Sequence, residues 1–85
     1  MKELKYTIKD EQGIHARPAG MLVKEASKFE SSITIESAGK TGDAKKIFSV
    51  MSLGVKCGNE ITIKADGVDE AQAISAIEDF LSKNL

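Results

Sequence analysis

Leu4-Lys5-Tyr6-Thr7-Ile8-Lys9-Asp10-Glu11-Gln12-Gly13-Ile14-His15-Ala16-Arg17-Pro18-Ala19 contains the change of hydrophobic period that sets the architecture. Leu4, Tyr6 and Ile8 alternate with Lys5, Thr7 and Lys9, the period of two expected of a half-buried strand. Asp10 to Gly13 is polar and reads as a loop. Beyond it the spacing becomes helical: Ala19, Leu22, Val23 and Ala26 share one face of a helix expected from Ala16 to about Phe29. Pro18 has no backbone N–H to donate and fits the first turn of that helix.

The same two periods partition the rest of the chain. Ile33 and Ile35 restart the alternation, predicting a strand over 32–37, with a turn at Ala38-Gly39 and a short return strand over 40–43. Ile47, Val50 and Leu53 form the core face of a short helix over 46–53 that Gly54 ends. Ile61, Ile63 and Ala65 mark a fourth strand. Asp69 with Gln72 has the spacing of a capping box for a last helix, and Val68 is placed to staple onto Ala73. The inward face of that helix is Ala73, Ile74, Ile77, Phe80 and Leu81.

The order is β-α-β-β-α-β-α. Three amphipathic helices sharing one core with a sheet must cover one sheet face, which predicts an α+β open-faced sandwich. Right-handed crossovers place the first and second strands parallel, with the fourth antiparallel between them, in a four-stranded, mainly antiparallel sheet. The uncovered face would carry Lys5, Thr7, Lys9, Thr34, Glu36, Thr62 and Lys64. Eighty-five residues without an internal repeat or linker are read as one domain, 1–85.

Composition excludes several classes. A formal net charge of −1 argues against a non-specific nucleic-acid binder, and so does an aromatic content of one tyrosine and three phenylalanines with no stacking pair on a strand. Cys57 is alone, so no intramolecular disulfide framework exists. One histidine and one distant cysteine give no zinc spacing, so no metal and no cofactor is expected. Neither a signal peptide nor a membrane-spanning run of about 20 apolar residues is visible, and a cytoplasmic, monomeric protein is expected.

The chemistry concentrates in Gly13-Ile14-His15-Ala16-Arg17-Pro18-Ala19-Gly20. A neutral imidazole nitrogen of His15 is nucleophilic near neutral pH. Arg17 presents a forked donor set suited to phosphate oxygens. A phosphoryl group on His15 would meet the free N–H groups of Ala16 and Arg17 and the positive end of the helix dipole. The plainer alternative is a histidine that caps the helix or is merely exposed; pairing of His15 with Cys57 as nucleophile and base is weaker still. Arg17, Gly20, Met21, Lys24 and Lys28 form a stripe off the core face. Gly20 is costly within a helix and suggests that something packs closely there. Phe48 and Met51 fall off the Ile47-Val50-Leu53 face and extend a docking surface or complete the core. Lys45 and Lys46 read as a solvated basic pair, or as attraction for an acidic partner.

Gly13-Ile14-His15-Ala16-Arg17-Pro18-Ala19, followed by Lys45-Lys46-Ile47-Phe48-Ser49-Val50-Met51-Ser52-Leu53-Gly54, resembles the HPr family of phosphocarriers over essentially the full chain. The resemblance implies a stoichiometric carrier, not an enzyme. In it His15 takes a phosphoryl group on Nδ1 from the phosphohistidine of enzyme I and passes it to enzyme IIA domains during phosphoenolpyruvate-dependent sugar uptake. It implies phosphate stabilisation by Arg17 and by the Ala16 and Arg17 backbone. Docking would fall on Gly20, Met21, Lys24, Ile47, Phe48, Met51 and Ser52. The regulatory serine common in the family is absent, because Lys46 occupies its position; Ser49 and Ser52 lie nearby but do not align with it. A regulatory binding module that uses phosphorylation only as a switch is the competing class, and the presence of both His15 and Arg17 favours the carrier.

Overall fold

The computed structural model describes all residues, 1–85. Strand β1 (Lys2–Thr7) leads to helix α1 (Ala16–Ala26), then β2 (Ser32–Ser37), β3 (Lys40–Asp43), α2 (Ile47–Met51), β4 (Glu60–Asp66) and α3 (Glu70–Asn84). The sheet order is β1-β4-β2-β3 and every neighbouring pair is antiparallel, so β1 and β2 run parallel on either side of β4 as expected. The three helices complete an α+β open-faced sandwich.

Register follows the alternation. Leu4 lies opposite Ile63, and Ile63 lies opposite Ile35, so one row of the sheet feeds three apolar side chains into the core. Leu22 of α1 and Ile77 and Leu81 of α3 are fully buried in the same cluster. Burial of each such side chain contributes about 1.5–3 kcal/mol. On the uncovered face Lys64 and Glu36 form an ion pair of 2.7 Å. The Glu36 carboxylate raises the Lys64 pKa, first by hydrogen bonding and then by its charge. Lys9 is not on that face: β1 ends at Thr7, and the Lys9 and Asp10 N–H groups donate to the Leu85 carbonyl from the following loop.

The β2–β3 hairpin turns through Ala38 and Gly39, both at positive φ (51° and 80°), the signature of a type I′ turn. Helix α1 stops at Ala26, short of the Phe29 expected, because the chain tightens there: Lys28 and Phe29 N–H groups donate to the carbonyls three residues back, not four. The Lys45 ammonium then donates to the Phe29 carbonyl at 2.7 Å and satisfies that end. Helix α2 is likewise shorter than expected, beginning at Ile47 with Lys46 as N-cap.

The start of α3 departs most from local expectation. Asp69 is the N-cap residue, yet its side chain makes no cap bond, Gln72 is exposed, and Val68 is exposed and staples nothing. The Asp69 carboxylate instead accepts the Glu30 and Ser31 N–H groups, each at 2.9 Å, and the Ser31 hydroxyl. Three donors from the α1–β2 joint outbid a single local cap. The Ser31 hydroxyl, followed by the Glu30 N–H, holds the Asp69 pKa below its ordinary 3.8. Glu70 takes over near the helix start, accepting the Gly67 N–H at 3.2 Å.

Candidate functional site

His15 is the N-cap of α1, with extended backbone (φ −99°, ψ −178°) and no side-chain cap bond. Its carbonyl accepts the Ala19 N–H at 2.9 Å, the first hydrogen bond of the helix. Ala16 and Arg17 precede that bond and Pro18 has no N–H, so the first turn offers two backbone donors and no more. No acidic side chain occupies this turn to neutralise the dipole. The side chain of His15 is 37% exposed, and the carboxylate facing it is that of Asp10, whose Oδ1 lies 3.9 Å from Nε2. The ring is therefore committed neither to capping nor to the core.

The loop before His15 is held rigidly. Asp10 Oδ1 accepts the Gln12 N–H at 2.8 Å, and the Asp10 carbonyl accepts the Gly13 N–H at 2.9 Å. Gly13 sits at φ +66° with its Cα pressed on the Val55–Lys56 backbone, while the Ile14 N–H donates to Val55 O at 3.1 Å. A side chain at Gly13 would strike that backbone, so the sequence before the histidine is fixed by packing as much as by turn chemistry.

Asp10, His15, Arg17, Pro18, Met21 and Asn84 line a shallow depression of about 220 Å³. Arg17, the only arginine, is exposed on it. Asp10 and Asn84 are additions that the local reading did not foresee. Asn84 comes from the end of α3, where its side-chain amide donates to the Phe80 carbonyl, and only the tertiary fold brings it here.

The other expected residues fall on the α1–α2 pair. Gly20 is half-buried, and the atom nearest its missing Cβ is Ile47 Cδ1 at 3.6 Å. The close packing inferred for Gly20 is thus met first within the chain, and Ile47 is half-buried by it. Phe48 is 85% exposed, with Met21 and Met51 at 43% and 38%. Phe48 therefore does not complete the core. Ser52 is exposed and donates to the Ser49 carbonyl, while Ser49 Oγ accepts the Asp43 N–H at 2.8 Å. Of the cations, Lys45 is tied to Phe29 and Lys28 to Glu25, leaving Lys24 and Lys46 exposed without a carboxylate partner. Cys57 is exposed, its thiol donating to the Lys9 carbonyl at 3.6 Å. No group of three or more His, Cys, Asp or Glu side chains could hold a metal ion, and no helix is long and apolar enough to cross a membrane.

Residues 2–83 match the family described as "PTS HPr component phosphorylation site". The chain belongs to the HPr family. It is 49% identical over 85 residues to the phosphocarrier protein HPr of Mycoplasma genitalium, covering 99% of this chain and 97% of that protein. Among solved structures, the histidine-containing phosphocarrier protein of a Mycoplasma superposes with a TM-score of 0.94 at 49% identity, over 96% of this chain and 93% of that one. HPr of Thermoanaerobacter tengcongensis superposes with a TM-score of 0.93 at 46% identity, covering 98% and 93%. As an HPr-family member the chain is a phosphocarrier of the phosphotransferase system. The start of α1 presents a half-exposed imidazole beside two unpaired backbone N–H groups.

Proposed function

We propose that His15 takes a phosphoryl group on Nδ1 from the phosphohistidine of enzyme I and delivers it to a histidine of an enzyme IIA domain. The lone pair of Nδ1 attacks phosphorus; the bond to the donor nitrogen breaks and its electron pair returns to the donor ring. Transfer between two imidazoles exchanges bonds of one kind, so it runs in both directions. Phosphoryl transfer asks chiefly for in-line positioning and neutralisation of charge. Ala16 and Arg17 N–H groups, the helix dipole and the Arg17 guanidinium supply these on the carrier side.

The observation that carries this reading is a half-exposed imidazole, free of any cap bond, at the head of a helix whose first two N–H groups are unpaired. The chain acts stoichiometrically, as a cytoplasmic monomer that meets its partners transiently. Gly20, Met21, Lys24, Ile47, Phe48, Met51 and Ser52 form the docking surface; exposed Phe48, Met21 and Met51 supply apolar contact and Lys24 faces acidic partners. Lys46 has no hydroxyl, so control by phosphorylation of a serine at that position is lost.

The test is His15→Ala incubated with phosphoenolpyruvate and enzyme I. Intact-mass measurement is expected to show one acid-labile phosphate on the natural chain and none on the variant, with the variant's circular dichroism unchanged. Acid-labile phosphate persisting on the variant would overturn the assignment.

A further inference from the structure

We propose that Asp10 is a positioning residue for His15: its carboxylate keeps the proton on Nε2, which leaves Nδ1 as the nucleophile, and it stabilises the charge the ring gains on phosphorylation. This inference rests on the function proposed above and deepens it. Asp10 Oδ1 is 3.9 Å from His15 Nε2, and the two side chains share the depression at the head of α1. The carboxylate is held in place. The same Oδ1 accepts the Gln12 N–H, the Asp10 carbonyl accepts the Gly13 N–H, and the Asp10 N–H donates to the Leu85 carbonyl. Asp10 is thus fixed by one side-chain and two backbone bonds, with its Oδ1 towards His15 Nε2.

The charge balance gives that placement a consequence. A neutral His15 that carries its proton on Nε2 attacks phosphorus through Nδ1. No proton has to leave, so the phosphorylated ring retains Nε2–H and rises from neutral to a charge of +1, while the donor ring falls from +1 to neutral. The carboxylate faces the nitrogen that bears this new charge. A separation of 3.9 Å is beyond hydrogen bonding in the unphosphorylated state, and such contacts tighten as charge develops. The other charged side chains around the ring are Lys9, Glu11 and Arg17, which line the same or the adjoining depression; of the two side-chain carboxylates there, Asp10 and not Glu11 lies within 4 Å of an imidazole nitrogen. Exposed pairs of this kind shift an equilibrium by about two- to fivefold.

Asp10→Asn tests the idea, because asparagine retains an oxygen to accept the Gln12 N–H while removing the charge. Glu11→Gln, the same change of charge one residue on, is the control. Two readouts are made. Nitrogen-15 shifts of the His15 ring report the tautomer, and the ratio of phosphorylated to free carrier at a fixed phosphoenolpyruvate-to-pyruvate ratio reports the transfer equilibrium. Asp10→Asn is expected to raise the share of ring protonated on Nδ1 and to lower the phosphorylated-to-free ratio by about two- to fivefold, with Glu11→Gln near the natural chain. An unchanged tautomer ratio and an unchanged transfer ratio in Asp10→Asn would overturn the proposal and leave Asp10 with the turn alone. An equal effect from Glu11→Gln would also overturn it, since a general charge effect would then suffice. The tautomer readout needs no phosphorylation. A natural chain that never takes phosphate would overturn the proposed function, while the tautomer ratio would still decide the part played by Asp10.

Discussion

Replacing Gly13 with alanine forces two separate costs at the loop that presents His15. The first is conformational: at φ +66° an L-residue pays about 1–2 kcal/mol for the left-handed region. The second is steric, because the new Cβ would lie 2.3 Å from Val55 O and 2.6 Å from Lys56 Cα, backbone that cannot swing aside like a side chain. Relief of that clash separates the loop from Val55 and breaks the bond from the buried Ile14 N–H, at a further cost of about 1–3 kcal/mol. The total of about 2–5 kcal/mol is a large share of the roughly 4–13 kcal/mol expected of a domain this size. It corresponds to a fall of about 10–30 °C in Tm. Gly39→Ala separates the two costs: Gly39 also has positive φ (80°), yet nothing lies within 4 Å of its Cβ position, so it pays only the conformational term. Urea unfolding followed by circular dichroism measures both variants. A Gly13→Ala variant no less stable than Gly39→Ala, with the Ile14 amide still protected from exchange, would refute the steric argument.

Arg17→Ala is expected to fold normally, being exposed, and to slow transfer by about 10- to 150-fold if the lost charge-assisted contact of about 1.5–3 kcal/mol is fully expressed in the transition state; rapid-quench transfer from phosphorylated enzyme I measures it, and unchanged kinetics would remove Arg17 from the site. For Asp69, the folded carboxyl titrates below its ordinary 3.8, so the native state binds fewer protons than the unfolded chain between the two values. The stability it contributes is full above the ordinary value and is lost as pH falls through the lower folded one. The stability gap between the natural chain and Asp69→Asn is therefore expected to close on acidification, and a gap that stays constant from about pH 6 to about pH 2.5 would contradict the latch drawn from Asp69 to Ser31.

Period located every helix and three of the four strands, because apolar residues at spacing two or three to four have only one way to face a shared core; β3, with no apolar residue in Lys40–Asp43, followed from the Ala38-Gly39 turn instead. What period could not supply was the ends. Nothing local reveals that Lys45 reaches back to Phe29, or that α1 tightens beyond Ala26. The α3 start shows the limit most clearly. Asp69 and Gln72 have capping-box spacing, but the donors that win Asp69 belong to Glu30 and Ser31, distant in sequence and adjacent only once α1 hands over to β2. Propensity read the helix correctly and misread the partner of its first carboxylate.

The geometry of the candidate site was legible in the same uneven way. His15, Arg17 and Pro18 stand within one helical turn, so their juxtaposition follows from local structure. Phe48 betrayed itself by falling off the core period, and it is 85% exposed. Asp10 was hidden in a polar loop whose path depends on Gly13 pressing against Val55, and Asn84 arrives from the opposite end of the chain. These two complete the lining of the depression at the helix start, with His15, Arg17, Pro18 and Met21. That depression remains open, and an open site cannot exclude water by itself. Under the proposed function, exclusion has to come from the partner. The exposed apolar side chains of Met21, Phe48 and Met51 then have a reason to lie on the same helix pair as the histidine: they bring in the surface that dries the site at the moment of transfer and release it afterwards. A carrier that closed over its own phosphoryl group would hold it better but could not hand it on.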